Sequence, residues 1–162
     1  MNPLRLLEGL GYSKRQILGA YARICIGIDL NEGTVNKDVG CAIVVNNICN
    51  NALGFAIGGG ASTYNMLQSL KRNPRWGQVR LEKAQKGDIV IAATGTRTAP
   101  SNILNGHVGY LADDVGDDIY PTKIISNNSL TGLVDTHFTL GSFWQKYGTE
   151  GKYPITIHRL LF

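Results

Sequence analysis

The stretch from Gly40 to Cys49, Gly-Cys-Ala-Ile-Val-Val-Asn-Asn-Ile-Cys, constrains this chain more than any other. Read at helical spacing, Ala42, Val45, Ile48 and Cys49 fall on one face, while Asn46, Asn47, Asn50 and Asn51 gather on the other side and at the far end. Such a helix is predicted to bury its apolar face against the rest of the fold. It also sets Cys41 in the first turn. There the unpaired N–H groups and the positive end of the helix dipole favour an anion, which predicts a Cys41 thiol titrating below its free value of about 8.5 and able to act as a nucleophile. The plainer alternative is a small buried residue.

A thiolate nucleophile needs a base, and the chain holds three histidines, His107, His137 and His158. His107 lies in Asn105-Gly106-His107-Val108-Gly109-Tyr110-Leu111, where a glycine turn leads into alternating residues, so it is predicted to open a strand. A rigid strand end suits a general base, whose ring must be held within hydrogen-bonding reach of the group it deprotonates. His137 and His158 read as surface or core residues, as Cys25 and Cys49 read as core. The three cysteines cannot all pair within one chain and have no C-x-x-C spacing, so reduced thiols are expected.

Around these residues the chain reads as helices followed by strands. Ser13, with Gln16 as its capping-box partner, opens a helix whose predicted apolar stripe is Ile17, Ala20, Tyr21, Ile24 and Ile28. A polar loop from Asp29 to Gly40, including Asp38, leads to the cysteine helix and is expected to wall a cleft. The glycine run Gly54 to Gly60 lacks the lysine and spacing of a phosphate-binding loop, and reads as a flexible turn before a helix over Ser62 to Lys71. Trp76 reads as a core residue at the start of an extended segment. Gly87 to Ala93 is a near-continuous apolar run, consistent with a strand buried on both faces. The polar loop Thr94 to Asn105 is expected to rim the site. Asp113, Asp114, Asp117 and Asp118 lack the calcium-binding spacing of an EF-hand and read as a solvated hairpin, after which Pro121 to Ser126 returns antiparallel to the histidine strand. Leu130 to Phe138 reads as extended, Leu140 to Tyr147 as a short helix, and Lys152 to Leu161 as a last strand.

Taken in order, Gly40-Cys41-Ala42, Lys86-Gly87-Asp88-Ile89-Val90-Ile91, Gly106-His107-Val108-Gly109-Tyr110 and Ile124-Ile125-Ser126-Asn127-Asn128 resemble the NlpC-type and CHAP-type cell-wall cysteine hydrolases, which are papain-like peptidoglycan peptidases and amidases. The resemblance covers roughly residues 38 to 160. Gly40 stands where NlpC-type members often carry aspartate, and no Glu-x-Asn follows His107 as in many CHAP members. The resemblance implies an α+β, papain-like fold in one domain over residues 1–162, with an N-terminal helical part (1–37) and a catalytic core (38–162). The cysteine helix would lie on an antiparallel sheet of four to six strands. The implied chemistry is hydrolysis of a peptidoglycan amide with Cys41 as nucleophile and His107 as base, without metal or cofactor. The family places the group that orients the base among Ser126, Asn127 and Asn128. Strand alternation turns Asn127 away from the other two, and the assignment here is Asn127, with Asn128 and Ser126 as alternates. A non-catalytic wall-binding or virion module of the same fold, and a thiol-dependent acyltransferase, are the competing functions.

Sixteen Lys and Arg against 12 Asp and Glu give a formal net charge of +4, which favours an anionic partner. That partner could be nucleic acid, a membrane surface or cell-wall polymer; no dense basic run is present, and the resemblance implies peptidoglycan and not nucleic acid. The apolar window from Ile24 to Leu30 is broken by Asp29 and is shorter than the roughly 18–20 residues of a membrane span. Met1 to Leu7 lacks the apolar core of a secretory signal. The expectation is therefore synthesis in the cytoplasm and action at the wall after release, after injection with a secretion-system partner, or as part of a virion.

Overall fold

The computed structural model of the chain describes residues 3–31, 40–94 and 105–162. Helix α1 (Pro3–Gly9) leads into α2 (Lys14–Ile24), whose first turn is closed by a capping box between Ser13 and Gln16. The predicted stripe on α2 is rotated: Ile17, Leu18 and Ala22 are buried, whereas Ala20 and Ile24 are exposed. The helix stops at Ile24 with Cys25 as its cap, so Ile28 lies past the end and cannot extend a helical face. The core readings of Cys25 and Cys49 match the structure, in which both are buried.

Helix α3 (Gly40–Leu53) is the cysteine helix, and Ala42, Val45, Ile48 and Cys49 are its fully buried face. After it, Gly58, Gly59 and Gly60 all adopt positive φ. The Asn46 side chain bonds Gly58 N–H and the carbonyls of Gly58 and Gly60, so the predicted flexible turn is a held one. Helix α4 (Thr63–Arg72), capped by Ser62, follows.

The strands are β1 (Trp76–Val79), β2 (Ile89–Ala92), β3 (His107–Leu111), β4 (Lys123–Asn127), β5 (Val134–Thr139) and β6 (Ile155–Leu160). They form one antiparallel sheet in the order β1-β6-β2-β3-β4-β5. A short 3-10 turn, Leu81–Lys83, precedes β2, and α5 (Leu140–Phe143) with a π-helical turn, Trp144–Glu150, separates β5 from β6. The fold class is α+β, as expected.

Alternation along each strand divides the core into two layers. Trp76, Ile89, Ile91, Val108, Tyr110 and Ile125 join the buried faces of α2, α3 and α4, and Tyr110 donates from its hydroxyl to the Val45 carbonyl, tying sheet to helix. Val90, Ala92, Leu111, Ile124 and Phe138 pack on the other side with Leu140, Phe143 and Tyr147. β2 is thus buried on both faces. At its start, Asp88 is fully buried and takes both Nε and a terminal nitrogen of Arg159 at 3.0 and 2.7 Å, a two-pronged pair that ties β2 to β6. Among the described residues, no helix is long and apolar enough to cross a membrane.

Candidate active site

Cys41 and His107, 66 positions apart in the chain, line one cavity of about 210 Å³. Helix α3 brings Cys41 to the end of β3, where Sγ lies 3.9 Å from the Gly106 carbonyl. Gly40 is required by what surrounds it: a Cβ there would collide with the Asn31 side chain. Of the predicted loops, residues 32–39, Asp38 among them, and 95–104 lie outside the described residues. Asn105 lines the cavity, as a rim residue should.

His107 opens β3 as expected and lies on the sheet face away from α3. Its ring stacks on Tyr147 with centroids 5.5 Å apart and an interplanar angle of 5°, and Phe138 and Phe143 stand 5.2 and 6.0 Å away. Nucleophile and base candidates therefore approach the end of β3 from opposite sides of the sheet.

Of the three candidates for the third position, the alternate Ser126 is the one bonded to the histidine. His107 Nε2 pairs with Ser126 Oγ at 3.0 Å. Tyr110 pairs with Ile125 and Leu111 with Ile124, which sets Gly109 opposite Ser126 and His107 opposite Asn128. Ser126 and Asn128 thus share the histidine's face, and Asn127 points to the helix side, where its Oδ1 accepts from Asn31 Nδ2 at 2.5 Å. Asn128 is drawn off by Asp135, to which its Nδ2 donates at 2.7 Å. Ser126, fully buried, is the member of the three that meets the imidazole, while Asn127 lines the cavity wall.

The ionisation of Cys41 is also opposite to expectation. Burial pushes its thiol up to about 11, against hydrogen bonds from the backbone N–H groups of Ala42, Val108 and Cys41 itself. The helix terminus does favour the thiolate, but only 4% of the residue is exposed, and desolvation of the charged form outweighs that help. Burial likewise pushes His107 down to about 3; His137 and Lys146 add to this and Asp135 opposes it. The resting pair is a neutral thiol and a neutral imidazole.

Two wall residues carry no sequence signal of a role. His137, read as surface or core, stands with its ring centre 6.2 Å from that of His107 and its Nδ1 against Asp135. Lys146 comes from the π-helical turn. His158 is buried beside Thr156 on β6 and does not line the cavity. Among the described residues, no three His, Cys, Asp or Glu side chains converge so as to hold a metal ion. A thiol, an imidazole and a hydroxyl on that imidazole are residue types that acyl transfer through a covalent intermediate uses. The chain's sequence matches no protein-family model and no curated protein.

Proposed function

We propose that this protein is a papain-like cysteine peptidase or amidase that cleaves an amide of peptidoglycan. The observation that carries the reading is that Cys41 and His107 line one cavity, with Ser126 Oγ 3.0 Å from Nε2 of the imidazole. If Nε2–H donates to Ser126 Oγ, the lone pair of Nδ1 is the one available to take the thiol proton. Because both groups rest neutral, the proton moves as sulfur attacks, so charge develops only while the sulfur–carbon bond forms. His107 then returns the proton to the leaving amine, and water releases the acyl group by the reverse sequence. Backbone N–H groups at the start of α3 are placed to receive the oxyanion beside Cys41. Peptidoglycan as substrate rests on the resemblance of the ordered motifs and agrees with the +4 charge of the chain.

The test is incubation of purified protein with isolated sacculi. New amino groups and released peptides are expected, and Cys41→Ser should abolish them. The deep burial of Cys41 favours one second reading, a wall-binding module of the same fold without turnover. Retention on sacculi with no amine released by the unmutated protein would select it.

A further inference from the structure

Lys146 and His137 line the cavity but have no part in the chemistry above. The Lys146 ammonium lies 5.4 Å from the centre of the Phe138 ring and 5.5 Å from that of Tyr147, which holds it against the aromatic wall. The His137 ring flanks the same Phe138 at 4.3 Å. Among the described residues Lys146 makes no ion pair. The carboxylate at this end of β5, Asp135, is already engaged by His137 and by Asn128.

We propose that Lys146, with His137 beside it, is a subsite for a carboxylate of the substrate close to the scissile amide. This rests on the hydrolase reading and narrows the substrate class to peptides with a free acid next to the cut bond. A lysine so near a general base is a handicap in the empty protein, because it opposes the positive charge the imidazole must acquire. Lys146 and His137 do hold His107 down. A carboxylate bound at Lys146 offsets that field and returns basicity to His107. The neutral carboxamide of the same peptide makes no such correction. An acid at this position therefore binds the substrate and also enables the proton transfer.

The test uses two synthetic stem peptides that are identical except that the glutamate carboxylate of one is amidated. Binding is measured by calorimetry to Cys41→Ala protein, which cannot turn them over, with and without Lys146→Met. Methionine keeps an apolar side chain against the Phe138 and Tyr147 rings, and the site is exposed, so folding should survive. The acid peptide should bind about tenfold more tightly than the amide, as one charge-assisted hydrogen bond provides. That ratio should fall to about one with Lys146→Met and largely persist with Lys146→Arg. No preference in the Lys146 protein, or a preference that survives Lys146→Met, overturns the subsite. Turnover by the unmutated protein is read separately. Acid-selective binding with no amine released from either peptide would sink the hydrolase reading and leave the subsite standing, whereas equal kcat/KM for both peptides would do the reverse.

Discussion

Replacing Ser126 by alanine removes one oxygen, and the arrangement around His107 says what that should cost. Ser126 is fully buried and its hydroxyl meets Nε2 at 3.0 Å. In the tautomer that carries Nε2–H, a buried imidazole N–H then loses its partner, a penalty of about 1–3 kcal/mol. The penalty falls on the tautomer that leaves Nδ1 free to accept a proton, because the other tautomer carries no hydrogen at Nε2. The productive form should therefore become rarer by roughly 5-fold to 150-fold, the ratio that energy range implies. Tyr147, stacked parallel to the ring, restrains its plane but selects neither tautomer. The expected result is a fall in kcat/KM of about ten- to a hundredfold, smaller than the loss from His107→Ala, for which the removal of a general base commonly costs about 10²–10⁴-fold. Asn127→Ala breaks the bond with Asn31 but leaves the imidazole's partner in place, and should cost less than Ser126→Ala. Amine release from sacculi, measured on variants with native circular dichroism, checks the order. Full activity in folded Ser126→Ala, or a larger loss in Asn127→Ala, would refute the assignment.

Alkylation of Cys41 by iodoacetamide should keep accelerating as pH rises toward about 11, with no plateau near neutrality, since burial keeps the thiol protonated; mass spectrometry of the labelled peptide follows this. Acid should destabilise the fold through two buried histidines, His107 held down to about 3 and His158 to about 4. Both folded values lie below the unfolded value of about 6.5, so the unfolded chain binds more protons. Stability is complete above about pH 6.5 and falls progressively toward pH 4, with up to about 2.7 kcal/mol lost per pH unit where both histidines are charged only when unfolded. Urea midpoints from pH 7 to 4 measure it, and a double His107→Gln, His158→Gln variant should lose most of the slope. Arg159→Met removes both guanidinium bonds from the buried Asp88 carboxylate, which keeps the Gln85 N–H, and should cost about 3–5 kcal/mol in urea unfolding.

Much of this architecture was legible because single elements carry their own periodicity. The faces of α3, the capping box of α2, the doubly buried β2 and the antiparallel return of β4 follow from spacing within a few residues. The errors lie where two elements must be known together. Alternation says that Ser126 and Asn127 face opposite ways, but which of them meets His107 depends on which face of β3 carries the histidine, and that is fixed by the cover of Phe138, Phe143 and Tyr147. The helical start at Cys41 is visible in the chain, whereas the desolvation that overrides it comes from burial in the folded core. Ile28 looked like a stripe residue because helical spacing runs on past a helix end that only the Cys25 cap reveals.

The glycines around the site hold the clue to Ser126 that alternation lacks. Gly40, Gly106 and Gly109 all have φ outside the left-handed region, so conformational freedom does not explain them. Closeness does. A Cβ at Gly106 would strike the Ala92 carbonyl and the Thr63 hydroxyl, which lets the chain pass tightly into His107. A Cβ at Gly109 would lie 2.8 Å from that of Ser126 and 2.7 Å from the Ile125 carbonyl. Gly109 therefore clears the space opposite Ser126, on the face that His107 also uses two residues earlier. In Gly-His-Val-Gly the second glycine marks the face on which β4 crowds in. The residue that stands across from it in an antiparallel pair is the one close enough to bond the histidine, and that residue carries a hydroxyl.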